Sequence, residues 1–138
     1  MKLTKNFTLE EMVQSDIAIT KGIDNTPNEE QLENIKFVAE QLQLIRNAYK
    51  QPIYITSGFR SEELNNAVKG SSTSYHKRGL AVDISQGSKA RNKHLFELVR
   101  SLMKVGLMCV ELIDEKNYSW LHLSFDRDTS KQEALHLN

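Results

Sequence analysis

The chain has 138 residues, 39% hydrophobic and 26% charged, with 18 Lys plus Arg balanced by 18 Asp plus Glu. That length suits one domain with a real core, and the zero net charge argues against a general nucleic-acid binder, which carries a basic excess. The single cysteine, Cys109, excludes an internal disulfide; within the apolar run 105–113 it reads as a buried, inert thiol.

No stretch approaches the roughly 20 apolar residues of a membrane span. Met1 to Phe7 contains no apolar segment of signal-peptide length. The expectation is a protein that starts in the cytoplasm, does not insert in a membrane and needs another agent to let it out.

In chain order, Thr8-Leu9-Glu10-Glu11 forms a capping box, which predicts a short helix from Leu9 to Ser15. Residues 15–25 are polar, contain a glycine and read as loop. Thr26-Pro27-Asn28-Glu29 looks like a second capping box, with Pro27 at the first helical position. The long helix that follows places Leu32, Ile35, Val38, Ala39, Leu42, Ile45 and Tyr49 on one face. It should stop at residues 48–50, because Pro52 disfavours helix at Gln51. Residues 52–56 read as a short strand, and residues 57–60 as a turn. Ser61 caps a short helix to Val68, and a polar loop spans residues 69–74.

A strand centred on Asp83 comes next, then a helix capped by Ser88 that runs to about Val105. Leu95, Leu98, Val99 and Leu102 would form its inner face, with Gly106 as its stop. Residues 108–113 read as a strand with Val110 and Leu112 on one face and Glu111 and Ile113 on the other. Residues 114–118 make a hairpin turn, and the strand around His122 returns. Residues 126–138 form a polar tail. The whole reads as one α+β domain over residues 1–138, with its core in 7–125: a small, mainly antiparallel sheet flanked by helices.

Alternation carries the chemistry. Leu80, Val82 and Ile84 point one way, and Asp83 points the other. Leu121, Leu123 and Phe125 share one face, while Trp120, His122 and Ser124 share the opposite one. If both strands lie in one sheet, Asp83 and His122 converge. His76 precedes the first strand, and Gly79 is a joint that lets it fold back over the sheet. Two imidazoles and a carboxylate are the donor set of a catalytic zinc that keeps one position for water. A buried carboxylate demands a cation, so the alternative is a structural ion pair of Asp83 with Arg78 or Arg60. His94 and His136 have no such company and read as structural or merely exposed histidines.

Three segments in order, Ser57-Gly58-Phe59-Arg60-Ser61, Ser74-x-His76-x-x-Gly79-x-Ala81-x-Asp83 and Trp120-x-His122-x-Ser124, resemble the zinc D-alanyl-D-alanine metallopeptidases of bacterial cell walls. That group includes vancomycin-resistance carboxypeptidases and phage endolysins and shares its fold with the hedgehog signalling domain. The resemblance implies that His76, Asp83 and His122 are the zinc ligands. It implies that Arg60 holds a substrate carboxylate or carbonyl, and that Ser74 lines the substrate groove. Many such enzymes carry an acidic residue three positions before the last histidine, where this chain has Ser119. Hedgehog-type members carry theirs further back, which points to Glu115 as general base, with Glu111 as the alternative on the same strand face.

The expected activity is zinc-dependent hydrolysis of peptide bonds in peptidoglycan stem peptides or cross-bridges. The cleavage is either D-Ala-D-Ala carboxypeptidase or endolysin-type endopeptidase chemistry. The expected source is a phage or prophage, and the expected form is a monomer that reaches the cell wall through a separately made, holin-type pore. No nucleic-acid partner is expected. The competing expectation is a non-catalytic zinc module that binds peptidoglycan or builds a phage particle.

Overall fold

Five helices and five strands follow from a computed structural model that describes residues 1–136. In chain order they are α1 (Leu9–Val13), α2 (Asp16–Lys21), α3 (Glu29–Tyr49), β1 (Ile55–Ser57), α4 (Glu62–Ala67), β2 (Ala81–Ile84), α5 (Lys89–Met103), β3 (Cys109–Glu115), β4 (Trp120–Phe125) and β5 (Glu133–His136). A one-turn 3₁₀ helix, Tyr75–Arg78, precedes β2. The strands form one sheet in the order β1-β2-β4-β3-β5, antiparallel except where β5 joins β3 in parallel. The α+β class and mainly antiparallel sheet are as the sequence predicts.

Helices α3 and α5 build the core with one face of the sheet. Ile35, Val38, Leu42 and Ile45 of α3 meet Leu95, Phe96 and Val99 of α5 and Val82, Ile84, Leu112, Leu121, Leu123 and Phe125 of the strands. These are the positions the 3.6-residue and two-residue periods select, so burying the apolar surface fixes the strand faces. Asp83, His122 and Ser124 are thereby turned to the other face. No helix among the described residues is long and apolar enough to cross a membrane.

Four local expectations fail. Residues 16–21 are helix, not loop: Ser15 caps α2 by accepting from the Ala18 N–H, and Gly22 closes it at φ 65°. Ile17 and Ile19 of α2 are exposed, so no apolar period marks it. The cap of α3 is Asn28, not Thr26. Asn28 and Gln31 exchange side-chain and backbone hydrogen bonds, while the Thr26 N–H donates to Asp24. A bulge in β3 between Cys109 and Glu111 puts Cys109, rather than Val110, into the core beside Leu112. Burial pushes the Cys109 thiol far above its ordinary pKa, in keeping with an inert residue. Finally, the polar tail contains β5. Gln132 donates to the carbonyls of Leu107 and Cys109, which sets the chain against β3.

Candidate metal centre

Register brings the first two groups together. Asp83 of β2 stands directly opposite His122 of β4, and opposed side chains on one sheet face lie about 5 Å apart at Cβ. His122 Nδ1 is 2.9 Å from Asp83 Oδ1. His76 arrives from the 3₁₀ helix, where Ser74 caps the turn by accepting from the His76 N–H. Gly79 reverses the chain at φ 75°, against Gln31 and Ile35 of α3. His76 Nε2 thereby comes to 3.4 Å from the same Asp83 oxygen, and the two rings lie 5.3 Å apart. One ligand atom from each of the three residues lies within 4.8 Å of the other two.

The charge balance suits a cation. Burial raises the pKa of the Asp83 carboxyl, but hydrogen bonds from His122 and His76 and their charge outweigh it. The group is held well below the usual carboxylate range and is ionised. Among the described residues, the ion pairs to Asp83 within 4 Å come from the two histidines. Arg78 lies over the Tyr75 ring instead.

The far nitrogen of His76 is fixed. Its Nδ1–H donates to the Gly58 carbonyl at 2.7 Å, since a carbonyl only accepts. Nε2 is thereby left to face Asp83 and to serve as the ligand atom. Two imidazole nitrogens and a carboxylate oxygen, close together and pre-aimed, fit a zinc ion.

Gly58 is the tightest point of this arrangement. A Cβ there would lie 2.3 Å from the Met12 carbonyl oxygen, which also accepts from the Phe59 N–H. Gly58→Ala must therefore push α1 away from the segment that holds His76. A loss of about 3 kcal/mol, at the upper part of the overpacking range, is expected in urea unfolding, together with weaker zinc binding. Wild-type stability in this variant would show that the contact relaxes freely.

Arg60 follows two residues later, half-buried, with Nη1 donating to Asn65 Oδ1 at 2.9 Å. Asn65 is fully buried and also donates to the Ser71 carbonyl, so it braces the 69–74 loop and Arg60 together. Burial lowers the Arg60 pKa, and the nearby negative charge of Asp83 partly offsets this. A groove of about 370 Å³ opens at Arg60, lined also by Gln14, Ile17, Thr56, Phe59 and Leu64. Helix α2, absent from the sequence reading, supplies part of that wall.

The two acidic candidates on β3 share the site's face but differ in company. Glu111 pairs with Ser124, and Glu115 pairs with Trp120. Glu111 Oε1 is 3.4 Å from His122 Nε2, the nitrogen turned away from Asp83. Glu115 stands at the hairpin end, where Lys116, Asn117 and Tyr118 all take positive φ. Asn92 of α5 holds that turn through the Tyr118 and Ser119 carbonyls. Ser119 itself donates to the Lys116 carbonyl. Asn65 and Asn92 escaped the sequence reading because a buried asparagine in a helix has no spacing signature.

Residues 5–124 match the family described as Peptidase M15. A comparison with curated proteins finds no match.

Proposed function

Because the chain belongs to the peptidase M15 family, whose members depend on zinc, we propose that it hydrolyses peptide bonds of peptidoglycan stem peptides or cross-bridges. The observation that carries this reading is the convergence of His76 Nε2, His122 Nδ1 and a shared Asp83 oxygen on one face of the sheet. Zinc bound there supplies Lewis acidity, polarising a carbonyl and acidifying water.

The chain's own residues do the rest. His76, Asp83 and His122 hold the ion. Arg60, braced by Asn65, offers a planar fork to a substrate carboxylate or carbonyl beside the groove. Ser74 lies at the entry to the His76 turn and lines the substrate path. Glu115 takes a proton from the attacking water and delivers it to the leaving amine. Glu111 is the less suited of the two carboxylates because it lies behind the His122 ring, at the nitrogen away from Asp83. A phage or prophage lysin acting on the wall from a cytoplasmic start is the setting we propose, with D-Ala-D-Ala carboxypeptidase or endopeptidase cleavage as its reaction.

Mass spectrometry of muropeptides, before and after incubation with the zinc-loaded protein, tests this directly. New fragments that differ by the mass of one amino acid or by a split stem are expected, and a chelator should abolish them. A zinc-loaded protein that leaves every muropeptide intact would replace hydrolysis with a binding or particle-building role.

A further inference from the structure

Arg60 is tied to the His76 segment through its backbone, and Asn65 of α4 ties its side chain. The Gly58 carbonyl accepts from the His76 ring, and the Arg60 N–H donates to the His76 carbonyl at 3.0 Å. The main chain of Arg60 is thus fixed relative to a metal ligand. Its side chain ends on Asn65 Oδ1, 2.9 Å from Nη1.

Asn65 can fill this place in one orientation only. A guanidinium only donates, and a carbonyl only accepts. Oδ1 must therefore face Arg60, and Nδ2 must face the Ser71 carbonyl, 2.9 Å away. The same carbonyl accepts from the Ser74 N–H, and Ser74 Oγ accepts from the His76 N–H. One buried amide therefore links the tip of the arginine to the turn that carries His76. Aspartate there would lack the donor, and leucine would lack both groups.

Gly70 makes room for the contact. A Cβ at Gly70 would lie 2.2 Å from Asn65 Oδ1 and 2.6 Å from Arg60 Nη1, the two atoms of the hydrogen bond. Its φ lies outside the left-handed region, so the close approach, rather than the backbone angle, calls for glycine. Asn65 is fully buried and bonded at both ends of its amide. Arg60 is the flexible member of the pair, so a methyl group at position 70 displaces the arginine.

We infer that Asn65 and Gly70 form a clamp that aims the Arg60 guanidinium into the groove, as positioning residues for the substrate anchor. The inference rests on the reading of Arg60 as that anchor. Nη1 gives one hydrogen to Asn65, and the other N–H donors of the fork suffice for two parallel bonds to a carboxylate. The clamp also keeps Arg60 away from Asp83. Among the described residues, the ion pairs to Asp83 within 4 Å come from His76 and His122, so the guanidinium charge is left for substrate. A freed arginine is drawn toward that carboxylate, whose charge it already senses.

Two variants decide it. Gly70→Ala should fold as wild type does, because the crowded Nη1 is the end of a flexible side chain. Asn65→Leu keeps the branched outline and removes both polar groups. In the zinc-loaded protein, kcat/KM for muropeptides should fall about 10–100-fold in each. The loss should lie chiefly in KM, with kcat in Gly70→Ala within about threefold of wild type and its zinc content unchanged. A wild-type KM in Gly70→Ala would overturn the clamp. So would a fall in its kcat and zinc content at constant KM, since that marks a general loosening of the His76 turn. Nitrogen-15 relaxation at Arg60 Nε gives a readout that needs no turnover. Wild type should show an order parameter near that of rigid backbone, about 0.85, and both variants a value below about 0.6; equal rigidity in wild type and Gly70→Ala defeats the inference. Should Asn65→Leu fail to fold, Gly70→Ala carries both readouts. A wild type that cleaves no muropeptide would instead remove the proposed hydrolysis, with the relaxation data still deciding the clamp.

Discussion

His122→Ala is expected to empty the metal centre and abolish muropeptide cleavage while leaving the fold in place. The side chain supplies one of three ligand atoms, and it is also the nearer of the two histidines to Asp83, at 2.9 Å against 3.4 Å. Its removal leaves His76 and Asp83 as a two-donor remnant, too few for a catalytic zinc, which takes three protein ligands. The fold should survive because His122 lies on the face away from the core. Its neighbours Leu121 and Leu123, both fully buried, carry the packing of β4. Asp83 does lose its strongest partner, which costs about 1–3 kcal/mol for a group left short of a hydrogen bond. Metal analysis after gel filtration should find about one zinc per wild-type chain and almost none in the variant, since binding depends on the complete ligand set. Circular dichroism should report the same secondary structure for both. Stoichiometric zinc or undiminished cleavage in the variant would sink the three-ligand centre.

How much of this was legible beforehand depends on the range of the interaction concerned. The core faces of β2, β4 and α3 follow from periodicity, because burying apolar side chains leaves one solution for each element. Asp83 and His122 could be paired on paper for the same reason. Each is a polar residue at the centre of an apolar strand, and antiparallel register did the rest. The His76 turn was harder. Its 3₁₀ geometry depends on Ser74, on Gly79 against α3 and on the Gly58 carbonyl, 18 positions away in the chain.

The same limit applies elsewhere. Helix α2 exposes its isoleucines and is held by its end caps, so no buried stripe announces it. Strand β5 pairs in parallel with β3, a contact set by a glutamine tether rather than by a hairpin turn. Glu111 and Glu115 have the same parity on β3 and were indistinguishable by alternation. What separates them is that the cross-strand partner of Glu111 is Ser124, which links it to the far nitrogen of His122.

That separation gives Glu115→Gln its force. The substitution keeps the size and shape of the side chain and removes the ability to take up a proton. Glu115 lies on the strand face of His122, one diagonal step away, opposite Trp120, and such diagonal neighbours are about 7–8 Å apart at Cα, within reach of a long side chain. The hairpin turn beside it is secured by Asn92, so the variant has no reason to disturb the backbone. Zinc content should stay at about one per chain, because no ligand atom is altered. Turnover should fall by about 10²–10⁴-fold, the usual contribution of general acid–base catalysis. The loss should appear in kcat with KM little changed, since substrate anchoring is left to Arg60. If turnover instead stays within about threefold of wild type, Glu115 does not handle the proton. With Glu111 committed to Ser124 and His122, the attacking water would then need a base from outside β3.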